Sequence, residues 1–101
     1  MSVVSVGKKE DFHAGKVRQV VLSGVKVAIA RVGDIFYAVD DTCTHEEESL
    51  SEGTLDDCSL ECPRHGAKFD VRTGEVLALP AVMPLKTYTV HVDGDDVKIE
   101  M

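Results

Sequence analysis

The sequence predicts an all-β fold, an antiparallel sandwich or barrel. Apolar and polar residues alternate along short segments such as KVAIARV at 26–32 and TYTVHV at 87–92, which is the two-residue period of a strand. In the first segment, Val27 and Ile29 lie on one face and Ala28 and Ala30 on the other. No segment shows a sustained period of about 3.6 residues, so a helical fold is disfavoured.

Turn residues between the apolar runs support the same fold class. Three pairs have the composition of hairpin turns and are predicted to connect neighbouring strands: Ser23-Gly24, Gly33-Asp34 and Asp93-Gly94. Only KKEDFHAGK, at 8–16, has the composition of a helical turn or loop, with Gly15 near its end. Short antiparallel strands therefore account for both ends of the chain.

The alternation stops between Asp41 and about Pro84. Glycines and prolines interrupt this stretch, namely Gly53, Pro63, Gly66, Gly74, Pro80 and Pro84. We therefore predict a single domain over residues 1–101. It has a β base formed by about 1–40 and 85–101, and a loop-built subdomain formed by about 41–84.

Composition limits the class of protein. A chain of 101 residues has room for one modest core, so a metal centre that ties loops together is a useful second source of stability. The three cysteines are an odd number, unlike a fully paired secreted framework. The sequence contains neither a signal-like start nor a run of about 18 apolar residues. We expect a cytoplasmic monomer that does not associate with a membrane.

The net charge of −7 is concentrated in the middle of the chain. Residues 41–70 carry nine acidic and two basic side chains. Such a field repels nucleic-acid phosphates and attracts a basic protein surface. A merely solvated acidic loop is an equally good interpretation of the charge alone. Nucleic-acid binding is not expected under either interpretation.

Two short motifs within this acidic stretch carry metal-ligand chemistry. Cys43-Thr44-His45 and Cys62-Pro63-Arg64-His65 give the spacing C-x-H-x16-C-x2-H. Two loops would thus supply two thiolates and two imidazoles. This ligand set suits either a tetrahedral zinc site or a 2Fe-2S cluster. Zinc modules commonly pair like ligands in each loop, so the mixed loops favour two metal ions.

These motifs and their neighbours resemble the Rieske-type 2Fe-2S proteins, and within them the small soluble Rieske ferredoxins. The resemblance rests on CTH, SEGTL, LECPRHGAKFDVRTGEVL and LPAVMPL, which extend over 43–85. In Rieske centres two histidines replace two cysteines on one iron. The resemblance implies that Cys43 and Cys62 hold the inner iron of one cluster, and that His45 and His65 hold the outer iron. It also implies a Rieske-type antiparallel β base with a cluster-binding subdomain.

Departures from the family pattern narrow the prediction. Rieske subunits of the cytochrome bc type join their ligand loops by a disulfide, but Glu48 and Arg64 stand in those places here. Ala67 and Phe69 likewise replace a serine and a tyrosine whose hydroxyls donate to the cluster region. Because lost donors disfavour the reduced cluster, we expect a potential near the low end of the range of about −150 to +300 mV. Cys58 lies outside the motif and is expected to be a free thiol.

The predicted function is one-electron transfer, not catalysis. The proposed ligands fill all cluster positions, and the sequence contains no evident nucleophile–base pair or phosphate-binding loop. The resemblance implies an NAD(P)H-dependent flavoprotein reductase as donor and a Rieske non-haem iron oxygenase as acceptor. Two alternatives stay open: the small subunit of an assimilatory NAD(P)H nitrite reductase, and a structural zinc module.

Overall fold

The computed structural model of the chain describes residues 3–41, 50–63, 67–78 and 83–100. These ranges contain eleven strands and two short 3-10 turns, Lys9–Asp11 and Leu50–Glu52. The strands are β1 Val3–Lys8, β2 Lys16–Leu22, β3 Val25–Val32, β4 Ile35–Asp40, β5 Thr54–Asp56, β6 Ser59–Glu61, β7 Lys68–Asp70, β8 Val76–Ala78, β9 Thr87–Tyr88, β10 Val90–Asp93 and β11 Asp96–Glu100. Every strand pair in these ranges is antiparallel, so the all-β prediction is confirmed.

Two sheets are built from the ends of the chain. One has the order β1-β11-β10 and the other β2-β3-β4-β9. The turns at Ser23-Gly24 and Gly33-Asp34 are confirmed as the connections on either side of β3. The third turn is formed by Gly94 and Asp95, one residue later than predicted, because Asp93 still pairs with Asp96.

Strand β3 is buried on both faces, which explains its composition. Val27 and Ile29 pack into what we call the base core, between the two sheets just described. The members of the base core are Phe12, Val27, Ile29, Phe36, Ala38, Val97 and Ile99. Ala28 and Ala30 point to the opposite face, and all four residues have no exposed surface. Alanines on this second face allow another layer of the chain to approach closely.

That layer is a third sheet with the order β5-β6-β7-β8, built from four strands of three residues each. It packs on the sheet β2-β3-β4-β9, which we call the middle sheet. The buried side chains between these two sheets form what we call the site core: Ala28, Ala30, Val39, Leu50, Leu60, Cys62, Ala67, Phe69, Val71 and Leu85. The sequence predicted loops here, because alternation over three residues is too short to detect. In the described part of the chain, no helix has the length and apolar character needed to span a membrane.

Candidate metal centre

The structure describes one of the four predicted ligands. Cys62 lies within the described residues, whereas Cys43, His45 and His65 lie outside them. The complete ligand set therefore stays a prediction. The structure does describe the ends of both ligand loops, and these ends determine how the loops leave the sheets.

The second ligand loop is a closed hairpin. Glu61, the last residue of β6, pairs with Lys68, the first residue of β7. Inside this pair the backbone N–H of Cys62 donates to the carbonyl of Ala67 at 2.7 Å. Backbone hydrogen bonds therefore hold the chain in place at the start of this loop, as far as Cys62. Cys62 is only 2% exposed, so its thiol lies among the apolar side chains of the site core.

The first ligand loop is closed in a similar way. Asp41 follows β4 and Leu50 begins the second 3-10 turn, so these residues flank the segment 42–49. The backbone N–H of Leu50 donates to the carbonyl of Asp41 at 3.1 Å. The N–H of Asp41 in turn donates to the carbonyl of Lys26 at 3.1 Å, which ties this point to the middle sheet. The two described residues that flank the segment with Cys43 and His45 therefore lie next to each other.

The ends of the two loops lie next to each other. The N–H of Gly53 donates to the carbonyl of Leu50 at 2.9 Å, which closes the 3-10 turn. A Cβ atom on Gly53 would lie 1.9 Å from the carbonyl oxygen of Glu61, the residue before Cys62. Real Cβ atoms do not approach a backbone oxygen so closely, so glycine is needed here. The turn at 50–52 consequently touches the beginning of the second ligand loop.

A buried carboxylate holds this junction together. Asp41 has no exposed surface. Its side chain accepts hydrogen bonds from the backbone N–H of Ser51 at 2.6 Å, from the Ser51 hydroxyl at 2.8 Å, and from the Gln19 side-chain amide. This role of Asp41 was not predicted from the sequence, in which Asp41 is one of nine acidic residues between 41 and 70. Its position at the end of a strand gave no sign that its side chain is buried.

The chemistry of the described part of the site fits a Rieske cluster. In its oxidised form, two ferric ions, two sulfides and two thiolates carry no net charge when the imidazoles are neutral. Burying a charged group in apolar surroundings is costly, whereas burying a neutral group costs much less. A 2Fe-2S cluster with four thiolates would carry two negative charges. The apolar neighbours of the Cys62 thiol therefore suit the mixed ligand set.

The other residues singled out from the sequence have mixed outcomes. Ala67 and Phe69 are fully buried in the site core, and Glu48 and Arg64 lie outside the described residues. Cys58 is a half-buried free cysteine whose backbone carbonyl accepts the N–H of Val71 at 2.9 Å. The low reduction potential stays a prediction, and a redox titration of the loaded protein measures it.

Two titrating groups outside the ligand loops, Asp70 and Tyr88, have shifted pKa values. At the end of β7, Arg72 donates from Nε and Nη2 to Asp70 at 3.0 and 2.8 Å, which lowers the pKa of that carboxyl. In the middle sheet, burial raises the pKa of Tyr88 to about 12, and its hydrogen bond to Asp40 at 2.6 Å contributes. The Arg72–Asp70 pair stabilises the turn after β7, and the Tyr88–Asp40 hydrogen bond joins β9 to β4.

Similarity to known proteins extends over the whole site. Residues 2–89 match the family described as Rieske [2Fe-2S] domain. The 3-phenylpropionate/cinnamic acid dioxygenase ferredoxin subunit of Escherichia coli (strain K12) is 50% identical over 76 residues, which cover 74% of this chain and 72% of that relative.

Two solved structures have the same fold. A chain in the complex of reduced oxygenase and oxidized ferredoxin in carbazole 1,9a-dioxygenase is 43% identical, with a TM-score of 0.92 and coverage of 96% of this chain and 91% of that chain. The ferredoxin of carbazole 1,9a-dioxygenase from Nocardioides aromaticivorans IC177 is 35% identical, with a TM-score of 0.94 and coverage of 98% and 97%. Both matches cover nearly the whole of this chain.

Proposed function

This chain belongs to the Rieske 2Fe-2S family, and we propose that it carries single electrons from an NAD(P)H-dependent flavoprotein reductase to a Rieske non-haem iron oxygenase. It is a ferredoxin-type electron-transfer protein with one Rieske-type 2Fe-2S cluster, and it is not itself the catalyst. The observation that carries the proposal is the buried Cys62 thiol at the mouth of a closed hairpin, within a family match that includes both ligand motifs.

The proposed ligands are Cys43 and Cys62 for the inner iron and His45 and His65 for the outer iron. A 2Fe-2S cluster held by these four residues would supply a one-electron couple, and because all its ligands would come from the protein it would leave no position open to substrate. The chain's own contribution is to bring two loops to one point and to bury the Cys62 side of that point. Because two histidines hold one iron in Rieske centres, we propose that the iron held by His45 and His65 is the one that faces a partner.

The proposed partners follow from what similar proteins are named for. One relative is a ferredoxin subunit of a dioxygenase, and one similar chain was solved in a complex with an oxygenase. We extend both roles to this chain, with an aromatic-ring oxygenase as the acceptor and a flavoprotein as the donor. A cytoplasmic location is part of the same proposal, because it is where NAD(P)H supplies electrons and where an odd set of cysteines stays reduced.

The proposed domain organisation is a single unit in which 1–40 and 85–101 form the base and 41–84 hold the cluster. Contacts of the site core support it, because this core joins the middle sheet to the third sheet. Unfolding of the loaded protein should then occur in one transition, with the same midpoint whether it is measured by far-ultraviolet circular dichroism or by visible absorbance. Two transitions with separate midpoints would contradict a single cooperative unit.

Reconstitution tests the function directly. The purified protein should be coloured, should give the electron paramagnetic resonance signal of a reduced Rieske centre, and should restore NADH-driven product formation by a reductase and oxygenase mixture. Cys62→Ser should lose colour and turnover together. Cys58→Ser is the matched control, because it removes a cysteine that is outside the proposed set, and it should keep both.

Two results would favour the alternatives instead. A colourless protein loaded with zinc, purified from iron-replete cells, would support a structural zinc module. Stable co-purification with a sirohaem-containing large subunit, together with failure to support the oxygenase, would support the small subunit of a nitrite reductase. The dioxygenase relatives favour the ferredoxin role over both.

Acidic side chains are proposed to guide docking. Glu52, Asp56 and Asp57 are exposed on the third sheet and its 3-10 turn, on the same subdomain as the ligand loops. An acidic surface speeds encounter with a basic one, and added salt screens the attraction. The rate of electron transfer to the oxygenase should therefore fall as ionic strength rises. A rate that is independent of salt would exclude electrostatic docking.

A further inference from the structure

The junction between the two ligand loops contains a buried carboxylate that the electron-carrier role does not by itself require. Asp41 is the one fully buried charged residue in the described ranges. Among the described residues its side chain accepts hydrogen bonds from neutral donors: the backbone N–H and hydroxyl of Ser51 and the amide of Gln19. A buried charge of this kind is costly unless its hydrogen bonds are complete, and losing one donor leaves the charge unsatisfied. The carboxylate therefore holds its donors in one geometry.

That geometry reaches the first ligand loop from both of its ends. Asp41 is two residues before Cys43, and Ser51 is two residues after the segment 42–49 ends. The side-chain bonds to Ser51 act together with the backbone bond from Leu50 to Asp41 at 3.1 Å. The middle sheet provides the fixed support, since the backbone N–H of Asp41 donates to the carbonyl of Lys26 at 3.1 Å and Gln19 lies on β2.

The same turn touches the second ligand loop. Gly53 is hydrogen-bonded to Leu50 and packs against the carbonyl of Glu61, next to Cys62. Thr54 then pairs with Glu61 in the third sheet. The turn at 50–52 is consequently bonded to Asp41 on one side and, through Gly53, to the beginning of the second loop on the other. The two loops are connected through this turn even though Glu48 and Arg64 replace the cysteines of a disulfide.

We propose that Asp41 is a positioning residue for the cluster, and that its hydrogen bonds to Ser51 and Gln19 set the spacing between the Cys43–His45 loop and the Cys62–His65 loop. Without a disulfide, this polar clamp keeps the two loops at the separation that one cluster needs. The proposal rests on the ligand set of the proposed function. It concerns only hydrogen bonds within the chain, and Asp41 is not a ligand in it.

Asp41→Asn tests the clamp. The amide nitrogen cannot accept a hydrogen bond, so it faces a donor from Ser51 or Gln19 and one bond is lost. Ser51→Ala removes only the hydroxyl donor and is the milder variant. Asp40→Asn is the matched control, because it removes the same charge one position earlier, from a carboxylate that accepts the Tyr88 hydroxyl at 2.6 Å.

The holoprotein variants are compared by the rate at which visible absorbance is lost to an iron chelator, and by the g values of the reduced protein. Changes around metal ligands commonly weaken metal binding about 10-fold to 100-fold, so Asp41→Asn should release its cluster about 10-fold faster and shift the g values. Ser51→Ala should change both in the same direction by less. Each protein is assayed at the same number of degrees below its own melting temperature. Under this condition Asp40→Asn should release its cluster at the wild-type rate.

The proposal is overturned if both Asp41→Asn and Ser51→Ala keep the wild-type release rate and g values, or if Asp40→Asn releases its cluster as fast as Asp41→Asn. In either case Asp41 contributes to folding alone. These results are distinct from a failure of the proposed function, which would be visible in the wild-type protein as missing colour or missing turnover.

Discussion

The base core and the site core differ in the length of the strands that carry their side chains. The base core contains the large side chains Phe12, Phe36, Ile29 and Ile99, and the two phenylalanine rings meet edge to face at 5.9 Å and 78°. Its central strand, β3, has eight residues. The site core combines the large side chains Leu50, Leu60, Phe69 and Leu85 with three alanines and a cysteine, and each strand of its sheet has only three residues. The base is thus stabilised by apolar packing over long strands.

The site side depends more on polar contacts and close backbone approach. Asp41, Ser51 and Gln19 form a buried hydrogen-bonded group, and Gly53 lets two backbone segments touch. The strand pairs of the third sheet align only two or three residue pairs each, against six or seven for β2–β3 and β3–β4, so strand pairing stabilises this sheet less. A bound cluster supplies the remaining stability, as metal binding does in other small domains. We therefore expect apolar packing to be enough to fold the base, whereas the site needs its bound cofactor to be fully stable.

Truncating a large side chain in each core should separate the two regions most strongly. Leu60 in the site core and Ile29 in the base core are both fully buried, and replacing either by alanine should lower the free energy of unfolding by about 3 to 4 kcal/mol. Only Leu60→Ala should also speed loss of the cluster, because Leu60 is two residues before Cys62. Denaturant unfolding and visible absorbance measure the two effects, and equal bleaching of both variants would contradict the distinction.

Glycine replacements should give the next largest difference. Gly53→Ala places a Cβ against the Glu61 carbonyl and should cost about 3 kcal/mol together with poor cluster loading. Gly94→Ala in the β10–β11 turn meets no atom within 4 Å, so only its φ of +62° opposes alanine, at about 1 kcal/mol. Iron content per protein should fall in the first variant and not in the second. Similar iron contents would show that the approach at Gly53 is tolerant.

The base should also have an alkaline transition of its own. Tyr88 has a pKa of about 12 in the fold against 10.0 in the unfolded chain. Between these values the unfolded chain has lost the proton that the folded chain keeps, so the free energy of unfolding falls as pH rises from about 10 to about 12. Tyr88→Phe should remove this slope and cost about 1 kcal/mol near neutral pH for the lost hydrogen bond. Urea unfolding across the alkaline range measures it, and an unchanged slope would contradict the assignment.

The smallest expected effect concerns the ion pair at the end of β7. The pKa of Asp70 is lowered by its hydrogen bonds to Arg72, so the pair stabilises the fold above the ordinary carboxyl pKa, and this contribution is lost as pH falls through the lowered value. Arg72→Gln should therefore weaken stability at neutral pH slightly and flatten the acid limb. The effect is small because the Arg72 side chain is 56% exposed and solvent screens the pair. An acid limb identical to that of the wild type would contradict this role.

Much of the fold could be predicted from the sequence because its signals are local. Alternation over six to eight residues identified strands such as β3, and glycine-containing turns at 23–24 and 33–34 marked the hairpins around it. The third turn was displaced by one residue because Asp93 and Asp96 pair across it. The third sheet gave no such signal, since strands of three residues contain barely one period.

The candidate site divides in the same way. The residue types and spacing of CTH and CPRH determine the ligand chemistry, since two thiolates and two imidazoles suit one mixed cluster, and this chemistry is written in the sequence itself. The role of Asp41 is not written there, because burial of one carboxylate among nine acids depends on where Ser51 and Gln19 are brought by the fold.

The all-β class, the two ligand motifs and the family can be recognised from the amino-acid sequence, because each depends on residue types at short separations. Two further facts are visible in the folded chain alone: β3 is buried on both faces, and the segment 50–53 contacts both Asp41 and Glu61, which stand before the two ligand motifs. The hydrogen bonds of the Asp41 side chain likewise join residues that are distant in the sequence, since Ser51 is 10 positions away and Gln19 is 22. Local pattern carries no information about which distant segments meet, and packing of the three sheets supplies it.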